Sequence, residues 1–117
     1  MKTLAILALL MSSGLAHAGA LPIDGAYGTE MGCAALANRD AAGDPESIVY
    51  VTRTEAAGME YGCQVGEVTK VGDGYRAKLS CDGEGDHFST DATLVTVAKD
   101  KVVWSVDGAP YVLTRCD

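Results

Sequence analysis

The chain is poor in basic residues. Nine Lys and Arg stand against 16 Asp and Glu, a formal charge of −7 over 117 residues. Nucleic-acid binding needs a basic face to neutralise phosphates, and an anionic membrane surface asks for the same, so neither is an expected partner. Hydrophobic runs are short as well. The apolar run at residues 4–11 is less than half of the roughly 20 residues a membrane helix requires, and no membrane span is expected. There is no C-x-x-C, which excludes a thioredoxin-like redox pair and the close cysteine pairs of common zinc sites. There is no G-x-x-x-x-G-K and no G-x-G-x-x-G opening a helix, so no phosphate-cradling loop is expected. The nucleophile elbow G-x-S-x-G is missing too. No amphipathic stretch is long enough for the crossover helix that parallel strands need. The length fits one domain and excludes a two-domain enzyme.

What is present begins with an address. Met1-Lys2-Thr3 is a short basic start, the apolar run follows, and Ala16-His17-Ala18 is a small-x-small cleavage signal. This pattern is that of a secretory signal. The expected layout is a signal peptide over 1–18, a short linker over 19–23 and one domain over 24–117. A cut after Ala18 leaves 99 residues with 16 acidic and 8 basic side chains, a formal charge of −8, and a single histidine, His87. The first cysteine is Cys33, far from the cut, which argues against a lipid-anchored start. A periplasmic or secreted protein is expected. A hydrophobic content of 48% argues against wholesale disorder.

Four cysteines remain: Cys33, Cys63, Cys81 and Cys116. In a small exported domain an even number reads as two disulfides. Wide spacing and a lone histidine argue against metal. Three pairings are possible. The stretches 59–65 and 75–81 alternate apolar and polar, with Gly72-Asp73-Gly74 as a turn between them. Cys63 and Cys81 share a face if the loop is three residues long or if a bulge falls near Gly66. That favours Cys63–Cys81 with Cys33–Cys116. Cys33–Cys63 with Cys81–Cys116 stays open.

Short strands are expected over 24–29, 47–54, 59–65, 67–71, 75–81, 92–98, 102–106 and 111–116. Turns are expected at 56–58 and 107–110, and an acidic loop at 82–86. A helical turn or two is expected after Cys33, ended by Gly43-Asp44-Pro45. The fold class is therefore all-β: a small antiparallel barrel or sandwich of seven to eight strands, meander-like, with two disulfides. A bulge at Gly66 would turn Glu67 to solvent and Val68 inward, and Trp104 is expected in the core.

The segments EYGC (60–63), KLSCDGEG (78–85) and YVLTRC (111–116), with this strand order, resemble small exported four-cysteine β-domain proteins of bacteria that carry no assigned function. The resemblance covers residues 59–117. The general plan is also similar to periplasmic lysozyme inhibitors, which are small β-barrels. Their Ser-Gly-x-x-Tyr-type loop has no counterpart, because Ser12-Ser13-Gly14 lies in the signal.

The densest polar constellation is Asp82, Glu84, Asp86 and His87, with Asp91 close behind. Oxygen ligation of a hard cation fails on spacing. The glycine is not at the sixth position of an EF-hand loop, and Thr93 replaces the bidentate acid. His87 could act as a general base. Its near neighbours Ser89 and Asp91 lie along one strand face, about 6.5–7 Å apart per step, too far for a relay. No catalytic residue, cofactor or metal is therefore expected. The leading expectation is a non-catalytic binding module of the bacterial envelope, an inhibitor of a basic periplasmic or extracellular protein steered by charge. Its contact loops would be 82–86 and 40–46. A small hydrolase or metal-assisted enzyme using His87 and a structural envelope component are the alternatives.

Overall fold

The computed structural model describes residues 16–38, 48–58 and 60–117. Among the described residues there are nine strands and one helix: β1 Ala16–Ala18, β2 Tyr27–Gly28, α1 Glu30–Ala37, β3 Tyr50–Val51, β4 Glu55–Gly58, β5 Tyr61–Val71, β6 Gly74–Gly83, β7 Asp86–Ala98, β8 Lys101–Val106 and β9 Ala109–Arg115. Every pairing is antiparallel. The order β5-β4-β3-β2-β9-β8-β7-β6 returns to β5 and closes an eight-stranded barrel. The expected class is the one observed, and between barrel and sandwich it is the barrel. β1, in the stretch expected as the cleavage signal, pairs with Glu67, Val68 and Thr69 of β5 on the edge that the shorter β4 leaves open.

Alternation builds the core. Cys63, Val65 and Val68 of β5 point inward with Ala77, Leu79 and Cys81 of β6. Ala92 and Leu94, Val102 and Trp104, and Leu113 complete the filling, with Trp104 only 1% exposed. An eight-stranded barrel has an interior just wide enough for such side chains. Leu21, before the first barrel strand, is also buried there.

The bulge falls where expected. The β5–β6 register shifts between Val65 and Val68, Glu67 is exposed and Val68 is buried. The turn itself is a correction: Val71 pairs with Gly74 across two residues, Gly72-Asp73, instead of a three-residue loop. With the bulge absorbing one residue, Cys63 lies directly opposite Cys81. Their Cα atoms are 4.0 Å apart and they are bonded, at the close spacing of a non-hydrogen-bonded pair. Cys33 bonds Cys116, 83 positions away.

Other boundaries move for local reasons. α1 starts before Cys33, because Thr29 caps it by accepting from the Gly32 amide at 2.9 Å. Gly32 must be glycine: a Cβ there would strike the carbonyl of Val49. Within the described part of the expected strand over 47–54, the strand is Tyr50–Val51 alone, since Thr52 Oγ1 accepts from the amides of Thr54 and Glu55 and turns the chain. The expected turn at 56–58 is strand β4, paired to Gly62 and Cys63. The acidic loop expected over 82–86 contracts to two residues. Gly83 pairs with Asp86, and Glu84 and Gly85 both take positive φ, 49° and 84°, the requirement of a type I′ hairpin turn. Residues 40–46 and Met59 lie outside the described residues.

Candidate functional site

Three β-hairpins turn at one end of the barrel, at Glu60 between β4 and β5, at Glu84-Gly85 between β6 and β7, and at Asp107-Gly108 between β8 and β9, with the β6–β7 hairpin reaching six residues beyond the β8–β9 turn. The inward alternation of the strands continues past the buried core toward this end. Tyr61 precedes Cys63 on its face, Phe88 and Thr90 precede Ala92, Val106 follows Trp104, and Tyr111 precedes Leu113. These side chains line a cavity of about 390 Å³. The rings of Tyr61 and Phe88 meet edge to face, 5.8 Å between centroids and 75° apart. Phe88 is 38% exposed, so the floor of the mouth is apolar and open to solvent. Burial, and then the neighbouring Tyr111, push the Tyr61 phenol above its ordinary pKa.

Carboxylates stand around this mouth. Glu60, Asp82, Glu84, Asp86 and Asp107 occupy the three turns or the strand residues beside them, and all are exposed. Among the described residues, Lys and Arg lie elsewhere: Arg53 before β4, Lys70 and Arg76 near the Gly72-Asp73 turn, Lys78 on the wall, Lys99 and Lys101 at the β7–β8 turn, and Arg115 at the end of β9. The described residues are polarised, with one acidic, aromatic end. A second concavity of about 480 Å³ lies beside the bulge, but Glu67, Lys78 and Asp91 around it carry opposed charges and no aromatic lines it.

Of the predicted polar residues, Asp82 and His87 lie on the outer wall next to the mouth, and Glu84 and Asp86 lie at the tip of the β6–β7 hairpin. Asp82 and His87 face each other across the β6–β7 ladder, with His87 Nδ1 2.9 Å from Asp82 Oδ1. His87 Nε2 lies 3.5 Å from Ser80 Oγ. The acid and hydroxyl beside His87 thus come from β6, where cross-strand pairing brings side chains close. Ser89 stays on the same strand as His87, and Asp91 faces Lys78 at 3.9 Å. The alternation of 75–81, continued through the hairpin, is the signal that would have found Ser80 and Asp82. The order Ser-His-Asp matches a hydrolytic relay. Its surroundings do not: the His87 and Asp82 side chains are 64% and 81% exposed. Ser80 lies mid-strand between β5 and β7, where backbone amides are committed to the ladder and not free to hold an oxyanion. Among the described residues no group of three or more His, Cys, Asp and Glu could hold a metal ion.

These observations define a disulfide-bonded, eight-stranded antiparallel barrel with an acidic aromatic mouth. Comparison with protein-family models, curated proteins and solved structures finds no match to this chain.

Proposed function

We propose that this chain is a non-catalytic binding module of the bacterial envelope that takes a basic protein at the mouth of its barrel, as an inhibitor would. One observation carries the reading: five carboxylates surround an open aromatic cluster from which Lys and Arg are absent among the described residues. Aromatic side chains supply apolar contact area, and a single-signed rim attracts and orients a cationic partner. Two disulfides support an oxidising compartment. No described helix is long and apolar enough to cross a membrane.

The test is binding of a fluorescent Lys/Arg-rich peptide to the purified protein across a salt series. Raising salt from about 20 to about 200 mM shortens the Debye length from about 20 to about 7 Å and should weaken binding at least about tenfold. Reversing Glu84, Asp86 and Asp107 to Lys should abolish it while leaving the near-ultraviolet signal of Trp104 unchanged. Salt-independent binding, or none, defeats the proposal. The hydrolase alternative is favoured by the Ser80–His87–Asp82 spacing alone. Turnover of a p-nitrophenyl ester that Ser80→Ala abolishes would establish it in place of the binding reading.

A further inference from the structure

The β6–β7 hairpin is longer than its neighbour on one side. β6 pairs with β7 without interruption from Gly83↔Asp86 to Gly74↔Val95. β8 pairs with β7 only from Ala92 onward. Residues 86–91 therefore form an overhang, bonded to β6 on one edge and bordering the mouth on the other. A two-residue type I′ turn makes its flanking pair, Gly83 and Asp86, a hydrogen-bonded one. From there the ladder alternates, so Asp86, Phe88 and Thr90 direct their backbone groups to β6, and His87, Ser89 and Asp91 direct theirs to the opposite edge. The contact next to the overhang agrees: the Asp107 amide donates to the Asp91 carbonyl at 3.1 Å. Beyond Asp91 the ladder stops. Among the described residues, no backbone partner meets the outward N–H and C=O groups of His87 and Ser89. Space exists beside them: the mouth cavity on one face, and on the other a groove of about 500 Å³ lined by Ser89, Asp91, Ser105 and Asp107 among others.

Unpaired strand edges are usually blunted by Lys, Pro or a bulge. Over residues 86–91 this one carries no Lys, Pro or bulge, and its carboxylates, Asp86 and Asp91, discourage an acidic strand and not a basic one. We infer that the basic partner binds by strand addition: an extended segment of it pairs with the free edge of β7 at His87 and Ser89. This rests on the proposed binding function and specifies how the partner is held. Main-chain bonds would supply affinity, and alternate side chains specificity. The two faces differ in what they accept. A side chain on the inner face meets Phe88, Tyr61 and Tyr111, and should be apolar. One on the outer face meets Asp107, and Asp91 which it would share with Lys78 across the β6–β7 ladder, and should be Lys or Arg. The preferred ligand is therefore an extended segment in which apolar and cationic residues alternate, not a merely cationic one.

The experiment uses the full barrel and three synthetic octapeptides: one alternating Val and Lys, one of the same composition in blocks, and the alternating one N-methylated on every second residue. The alternating peptide should bind at least about tenfold tighter than the other two and slow hydrogen exchange at the His87 and Ser89 amides. Ser89→Pro, which removes an N–H the barrel does not use, should abolish this binding. The N-methylated peptide tests the same bonds on an unaltered protein, should Ser89→Pro not fold. Equal, salt-sensitive binding of all three peptides, with the two amides unprotected, overturns strand addition and leaves the acidic-mouth function standing. No salt-sensitive binding of any peptide overturns both. Protection of the two amides by dimerisation of the protein alone, competing with the peptide, overturns the basic partner in favour of a second copy.

Discussion

Tyr61 belongs at once to the core and to the mouth. It packs against the buried cluster, and its ring and that of Phe88 meet edge to face. Burial is the larger cause of its raised phenol pKa, and Tyr111 the smaller. Because the folded-state value lies above the unfolded one, the unfolded chain loses its proton first as pH rises. Folding stability should therefore fall as pH climbs from the ordinary tyrosine value near 10 through the raised one. In an alkaline titration followed by phenolate absorbance, one of the five tyrosines should ionise late. Tyr111→Phe should bring that step earlier, and Phe88→Ala, which opens the mouth, should do so too. A curve identical in all three proteins would show that the tyrosine is not held in the mouth as described.

At the scale of elements, most of the barrel was legible in the sequence because strict alternation leaves one face for the core. The segments 75–81 and 102–106 read directly as strands, and so did the bulge at Gly66, where a buried Glu67 would otherwise be costly. What stayed hidden was set by partners far along the chain. β4 is Glu55–Gly58, an Ala-Ala-Gly stretch that looks like a turn and is a strand only because Val51 and Cys63 lie on either side of it. The overhang of β7 was equally hidden, since Glu84-Gly85 sits within a run of acids and glycines that suggests a longer loop. The candidate site followed the same division: Asp82 and His87 were visible as residues, but their pairing with Ser80 and the aromatic mouth depended on register. The disulfides act at this scale too. Cys33–Cys116 ties α1 to the end of β9 across 83 positions, and closing so long a loop contributes about 4–5 kcal/mol in the chain-entropy model. Cys63–Cys81 closes a loop of 18, worth about 3 kcal/mol on the same model. The paired Cys33→Ser, Cys116→Ser variant should lose more stability in urea than the paired Cys63→Ala, Cys81→Ala variant loses by loop entropy. Because Cys81 is fully buried, that second variant will also report a packing cost, so the comparison is made against its Val-substituted counterpart. A Cys33/Cys116 variant with an unchanged urea midpoint would mean that the long loop is already held by packing alone.

The whole molecule is governed by an excess of negative charge that is unevenly spread. Self-repulsion of that charge opposes the compact state, and it eases as added protons reduce the net negative charge. Against this runs the pair at the other end of the barrel. Arg115 Nη1 donates to Asp24 Oδ1 at 2.8 Å and its Nη2 to the Asp24 carbonyl. The hydrogen bond first, and the charge of Arg115 second, hold the Asp24 carboxyl below its ordinary pKa. A depressed carboxylate stabilises the fold above its unfolded pKa, and that contribution disappears as pH falls through the folded value. The two effects therefore separate on the pH axis. The urea midpoint at pH 5 should be no lower than at pH 7, because repulsion is relieved before Asp24 protonates. Between pH 4 and pH 2 it should drop, and Asp24→Asn should reduce that drop without altering the comparison between pH 5 and pH 7. High salt should flatten the first difference, since repulsion between exposed charges is screened. It should also shrink the Asp24 contribution, because that carboxylate is fully exposed. A midpoint that falls steadily from pH 7 to pH 5 would mean that the acidic rim is already compensated in the free protein. It would then hold no surplus charge to offer a basic partner.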